Sequence, residues 1–282
     1  MRVALPTTVD EAVEAMAAAP DAHLLAGGTD FCVEVSFGIR RPPGVVCLRR
    51  VRELRRVSVT PAEVVIGAGT TYTDMVTGPL AGALPGLAAA ARTVGSPQIR
   101  NAGTIGGNVA TASPAGDMLP LLAALGARVT LRGPGSERSV PFGELVTGVK
   151  RTTIRPGEVV VDVVVDHRPG PQQFLKVGTR NAMVIAIASA AVVLDVGARR
   201  VRAALGSVGP VVVRPASAED ELSDAIDWDR LSASEAAVER FGELAARECS
   251  PITDHRGTAE YRRRAVHVIA SRGLRRCLDD VA

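Results

Sequence analysis

Lysine is almost missing from this chain: Lys150 and Lys176 are the only two, so nearly all of its positive charge is arginine. Cysteine is sparse and scattered. Cys32, Cys47, Cys249 and Cys277 form no C-x-x-C pair, which excludes a thiolate zinc site and a cysteine-ligated iron–sulfur cluster. The four histidines, His23, His167, His255 and His267, lack H-x-x-x-H spacing, so no metal is expected. Aromatic residues are few (five Phe, two Tyr, one Trp), and the core must be aliphatic. No apolar run reaches the ~18 residues of a membrane span, and the opening MRVALPTTVDEA carries no signal-like segment. The expected location is the cytoplasm, with reduced thiols. A net charge of +3 is too small to imply a nucleic-acid partner.

Catalytic motifs are missing too. GAGTTYT (67–73) fails the dinucleotide fingerprint at its last glycine, and neither a P-loop nor a G-x-S-x-G elbow occurs. Nothing supplies an evident nucleophile or proton-transfer apparatus. Chemistry in which this chain takes part therefore belongs to a bound ligand.

What is present centres on residues 94–120, VGSPQIRNAGTIGGNVATASPAGDMLP. Gly103, Gly106 and Gly107 surround Thr104 and Ile105, then Asn108, Thr111, Ser113, Gly116 and Asp117 follow at short intervals. Glycines permit positive φ and close approach of a ligand to the main chain, and successive N–H groups in such a turn form an anion-binding nest. Asp117 would repel a phosphate but accept hydrogen bonds from polyol hydroxyls. A ligand with both groups is a nucleotide or flavin. A glycine-rich surface turn with one polar cap fits the same residues. A second candidate nest stands earlier, where the short strand His23–Ala26 runs into Gly27, Gly28, Thr29 and Asp30. Two such motifs favour a split phosphate site.

The remaining pattern is α and β mixed. Thr8 and Glu11 predict a capping box before an alanine-rich helix. VVCL (45–48) predicts a strand, followed by the arginine-dense 49–56. Val159–Val165 is a β-branched run suited to a strand buried on both faces. HRPGPQQ (167–173) is the best domain boundary. Beyond it, Phe174–Gly178, Ile187–Asp195 and Val201–Ser207 predict an antiparallel sheet. Two long helices follow, Ala233–Glu248 capped by Ser232, and Thr258–Leu278 with Tyr261, Ala265, Val268 and Ile269 on one face.

AGGTD (26–30) and TIGGNVATASPAGD (104–117) together resemble the two FAD-binding motifs in the flavin subunits of molybdenum hydroxylases. The resemblance implies an α+β fold. Residues 1–168 would form an FAD-binding domain of the vanillyl-alcohol-oxidase type, with α/β subdomains of about 1–55 and 56–168. Residues 172–282 would form a C-terminal antiparallel sheet with helices. It also implies noncovalent FAD, held by Leu25, Ala26, Gly27, Gly28, Thr29 and Asp30 around the pyrophosphate. Gly103, Thr104, Ile105, Gly106, Gly107 and Asn108 would form the opposing wall, with Thr111, Gly116 and Asp117 near the cofactor. Val159 and Val160 would meet the isoalloxazine through their backbone, and Lys176 would lie near the ring. Phe31 and Glu34 depart from the more aliphatic run usual after the first motif.

The implied function is electron transfer: a large molybdopterin subunit and a small [2Fe–2S] subunit as partners, with FAD here passing electrons to an external acceptor. The arginine segments 49–56 and 262–276 are candidate docking surfaces. The alternative is a free-standing flavin dehydrogenase or oxidase, for which Tyr72 and Lys176 are the available acid–base candidates.

Overall fold

Strand β1 (Arg2–Ala4) leads into helix α1 (Val9–Ala18), which starts where the Thr8 hydroxyl accepts from the Glu11 N–H at 3.1 Å. The Glu11 carboxylate turns to the Thr7 N–H instead of that of Thr8, so the expected reciprocal box is half formed. Strand β2 (His23–Leu25), helix α2 (Phe31–Ser36) and strand β3 (Gly44–Cys47) complete a small parallel sheet of order β1-β3-β2. Leu25 stands opposite Cys47 at its edge. The computed structural model describes residues 2–280.

The second unit begins with strands β4 (Val57–Val59) and β5 (Glu63–Gly67). Six short helices follow: α3 (Tyr72–Val76), α4 (Pro79–Ala83), α5 (Pro85–Thr93), α6 (Pro97–Ala102), α7 (Ile105–Thr111) and α8 (Met118–Ala124). Strands β6 (Arg128–Gly133) and β7 (Ser136–Pro141), helix α9 (Phe142–Leu145), the hairpin β8 (Val146–Gly148) and β9 (Arg151–Thr152), and strand β10 (Val159–Asp166) close it. The sheet is antiparallel, β4-β5-β10-β6-β7. The β-branched run takes its centre, with Val159, Val163 and Val165 inaccessible to solvent. A bulge at Val161 shifts the register against β6.

The third unit is the expected meander, β11 (Gln172–Val177), β12 (Ala188–Asp195) and β13 (Arg200–Gly206). Three helices cover it: α10 (Ala216–Ala225), α11 (Glu235–Arg247) and α12 (Ala259–Asp279). Two details differ from the sequence pattern. Ser234, not Ser232, caps α11 by accepting from the Ala237 N–H, while Ser232 pairs with Asp227. On α12 the buried face is Ala265, Val266, Ile269, Ala270, Leu274 and Cys277, with Arg262 among them; Tyr261 and Val268 are exposed. Arg262 takes an interior place because its guanidinium donates to the Ile187 and Ser207 carbonyls and to Asp254, at 2.5, 2.9 and 2.6 Å. The third unit packs on the second through α5 against β11 and α8 against β12 and β13.

Candidate cofactor site

The fold brings the two glycine motifs into backbone contact. A Cβ on Gly27 would sit 1.8 Å from the Ala102 carbonyl oxygen and 3.0 Å from the Gly103 Cα, so only glycine lets the first turn lie on the second. Gly28 adopts φ +73°. The N–H groups of Gly27, Gly28, Thr29 and Asp30 have no protein acceptor among the described residues. Four successive unclaimed donors are what an anion-binding nest would require.

The second motif is built otherwise. It is not a positive-φ turn: Gly103, Gly106 and Gly107 all lie outside the left-handed region. Residues 105–111 are helix α7, capped by the Thr104 hydroxyl on the Gly107 N–H. The N–H groups of Ile105, Gly106 and Asn108 donate to Thr70, Ala68 and Thr104 carbonyls at 3.1, 2.9 and 3.0 Å. Its donors are thus spent inside the protein, and what it offers a ligand is a surface. Gly106 allows that helix to rest on Ala68, whose oxygen would stand 2.8 Å from a Cβ there. Gly107 differs, because a Cβ would meet only the Thr104 hydroxyl, at 3.1 Å. Among the described residues only that hydroxyl opposes a side chain there, whereas a closely approaching ligand would require glycine.

Segment 67–72, set aside as a failed fingerprint, forms the floor of this contact. Tyr72 N–H donates to the Gly103 carbonyl, and Ala68 N–H donates to Val161 on β10. The Tyr72 ring lies against Gly103 and is buried. Burial raises its phenol well above the ordinary value, Asp117 and Asp30 push the same way, and the Asn108 side chain opposes them. Pairing of β10 with β5 ends at Asp162, so Val159 and Val160 pair only with β6. Among the described residues their other backbone edge has no strand partner.

Asp117 and Lys176, widely separated in sequence, meet here. Lys176 Nζ lies 2.5 Å from Asp117 Oδ2 and 3.2 Å from the Thr93 carbonyl, and the Thr93 hydroxyl donates to the same carboxylate at 3.1 Å. Burial pushes the Asp117 carboxyl above the usual carboxylate range, with Lys176 and Thr93 pulling it down. Lys176 also lines a cavity of about 350 Å³ with Arg92, Arg100 and Arg180.

Buried oxygens without partners collect in these segments. Among the described residues, seven buried side-chain atoms lack a hydrogen-bond partner; Thr70 Oγ1, Asn108 Oδ1, Asp117 Oδ1 and Asp162 Oδ1 are four of them. Such atoms are rare in finished interiors, and a hydroxyl-rich ligand would satisfy them. The residues present fit FAD in three respects: free donors for phosphate, an open glycine wall, and acceptors for hydroxyls. Asp162 escaped the sequence reading, although a lone acid interrupting Val159–Val165 was its signal. Thr111 and Gly116 flank the same wall, the latter with its Cβ position 3.1 Å from Asn108 Oδ1. Among the described residues no group of His, Cys, Asp and Glu is placed to hold a metal, and no helix is long and apolar enough to cross a membrane.

Residues 1–167 match the family described as FAD binding domain in molybdopterin dehydrogenase, and residues 173–277 match the CO dehydrogenase flavoprotein C-terminal domain. The chain is 31% identical over 275 residues to the carbon monoxide dehydrogenase medium chain of Hydrogenophaga pseudoflava, covering 95% of this chain and 94% of that one. It is 30% identical over 278 residues to the nicotine 6-hydroxylase medium subunit of Paenarthrobacter nicotinovorans, covering 97% and 96%. In structure it is similar to quinoline 2-oxidoreductase from Pseudomonas putida 86, with a TM-score of 0.90, 26% identity, and coverage of 99% and 97%.

Proposed function

The chain belongs to the FAD-binding flavoprotein family of the molybdenum hydroxylases, and from that premise we propose that it is the electron-transfer subunit of such an enzyme. It is an FAD-binding component of an oxidoreductase. In this reading, electrons arrive from a small [2Fe–2S] subunit, the molybdopterin lies on a large subunit, and an external acceptor takes the electrons away. FAD supplies the redox chemistry that the side chains lack. Residues 1–168 would form the FAD domain and 172–282 the C-terminal domain, in the cytoplasm.

The single observation that carries this reading is the backbone contact of Gly27 on Ala102–Gly103, which brings the two motifs side by side. Free N–H groups from Gly27 to Asp30 would take the pyrophosphate, with Leu25 and Ala26 leading into the turn. Thr104 to Asn108, with Thr111 and Gly116, would wall the ligand, and the unpaired edge of Val159 and Val160 would face the ring. Asp117 Oδ1 would accept a hydroxyl, and Lys176 would hold Asp117 in place beside the ring. The relatives are named for carbon monoxide, nicotine and quinoline although their flavin subunits share this fold, so substrate choice would reside in the large partner. The free-standing alternative is less well supported, because Tyr72 is buried with a raised pKa and Lys176 is tied to Asp117.

Co-purification with the two partner subunits, followed by anaerobic addition of substrate, tests the proposal. Flavin bleaching is expected only with the partners present, whereas dithionite should reduce the flavin of the isolated chain. Rapid substrate-dependent bleaching of the isolated chain would overturn it.

A further inference from the structure

One residue touches both glycine motifs from outside. Lys150 sits in the turn between β8 and β9, and its N–H donates at 3.1 Å to the Ala112 carbonyl, at the end of α7. Its ammonium reaches across to the other motif, 2.8 Å from Glu34 Oε1 on α2 and 3.6 Å from Asp30 Oδ2. Both ends of this link hold unusual backbone: Ala112 has φ 47° and Lys150 has φ 54°, a region that L side chains rarely adopt. Glu34 is in turn held by Arg40 at 2.7 Å, and the Arg40 guanidinium lies 5.5 Å from the centre of the Phe31 ring. The two residues that depart from the aliphatic pattern after the first motif therefore belong to one cluster. Within it, Lys150 holds the Glu34 carboxyl below its usual range against the effect of burial, and Glu34 raises the Lys150 ammonium.

We propose that Lys150 is a positioning residue for FAD, a clasp that fixes the distance between the Gly27–Asp30 turn and helix α7. Its backbone is anchored on the second motif and its charge on the first, so loss of the charge frees the turn to move away from the wall. This rests on the FAD reading above. The clasp acts on how long FAD stays, and it leaves the pyrophosphate and ring contacts themselves intact.

FAD release from the full chain, followed by the rise of free-flavin fluorescence after dilution, tests the clasp. The parent must first retain FAD; a parent that takes up none sinks the cofactor reading itself. Lys150→Met should release FAD about two- to fivefold faster at low salt, the range expected of a half-exposed ion pair. The ratio should shrink in 1 M salt, as screening weakens the pair in the parent. Lys150→Arg should keep the parent rate. Glu34→Gln should accelerate release similarly, and the double variant should be no faster than either single one. Equal release from parent and Lys150→Met overturns the clasp, as do additive effects of the two substitutions. Lower stability of the FAD-free chain with an unchanged release rate would make Lys150 an ordinary structural tie, and also overturns it.

Discussion

Lys176 on β11 and Asp117 at the start of α8 form an ion pair with both side chains more than nine-tenths buried. The pair joins the third unit of the fold to the end of the second glycine motif. A buried carboxylate with one cation and one hydroxyl beside it is costly to leave half-paired.

Lys176→Met should lower the stability of the FAD-free chain by about 3–5 kcal/mol at neutral pH, measured by denaturant unfolding. The loss should depend on pH. Burial already raises the Asp117 pKa, and removing Lys176 takes away the largest opposing influence. A folded-state pKa above the unfolded one means that the folded chain holds more protons, so stability falls as pH rises through that interval. The deficit relative to the parent should be smallest near the ordinary aspartate pKa of about 3.9 and largest above neutrality. A deficit that stays constant across this range would refute the assignment.

Replacing both partners separates stability from binding. Asp117→Leu with Lys176→Met removes the pair together, a change that is often close to neutral for stability. The same variant removes the free Asp117 Oδ1 acceptor. FAD should bind about 1–3 kcal/mol more weakly, by equilibrium fluorescence titration. Unaltered affinity would take Asp117 out of the site.

The motif glycines should fail in different ways. At Gly107 the backbone is helical, so no positive-φ penalty applies, and a Cβ would meet only the Thr104 hydroxyl, at 3.1 Å. Gly107→Val should leave the unfolding curve of the FAD-free chain within about 0.5 kcal/mol and yet abolish FAD binding. Gly27→Ala forces a methyl group into the Ala102 carbonyl and should separate the motifs, losing FAD and local order together. Hydrogen exchange at residues 25–32 and 102–108 would distinguish the two outcomes.

The sequence signalled the glycine motifs, the central strand and the C-terminal meander, because each depends on local pattern. The β-branched run Val159–Val165 signalled the central strand, but the strand is not buried on both faces as expected, because Val161, Asp162 and Val164 are only half-buried. Helix α7 was harder to see, since two glycines in seven residues disfavour a helix. It forms because Gly106 lets it pack on the Ala68 backbone, a tertiary contact with no trace in local propensity. Helix α10 starts after Pro215 without a side-chain cap, and its weak apolar stripe gave no signal. The partners of Lys150 and Lys176 were invisible for the same reason: their pairs span 116 and 59 residues. The scarcity of lysine was legible, but not that both lysines tie down the acidic ends of the two motifs.

Arg262 shows the limit of counting charges along a helix. It belongs to an arginine-rich stretch yet is 2% exposed and bonded to Asp254 and two carbonyls. Arg262→Met should cost about 3–5 kcal/mol, because Asp254 and the carbonyls lose their donor. A shift below 1 kcal/mol in chemical denaturation would show that water replaces the guanidinium without loss. Arg275 in the same stretch is paired with Glu235 and Glu239, so this helix offers less free charge than its sequence suggests.

Under the proposed function, the segment 49–56 is the better candidate for a docking surface. Arg49, Arg50, Arg52, Arg55 and Arg56 are all exposed, and among the described residues none pairs with a carboxylate. The strip also lies beside the site. It leaves β3 directly after Cys47, the partner of Leu25, and its backbone accepts from Gly67 and Gly69 at Arg56 and Leu54. An electron donor seated there would stand near the first glycine motif and the 67–72 segment that floors the contact. Complementary charge acts mainly on the rate of encounter and fades with salt. Arg49→Glu with Arg50→Glu should therefore slow association with an acidic iron–sulfur subunit by about tenfold at low ionic strength, while FAD affinity stays at the parent value. Stopped-flow measurement of flavin reduction by the pre-reduced partner reads both effects at once. An unchanged association rate at low salt would reduce the strip to a solvated face.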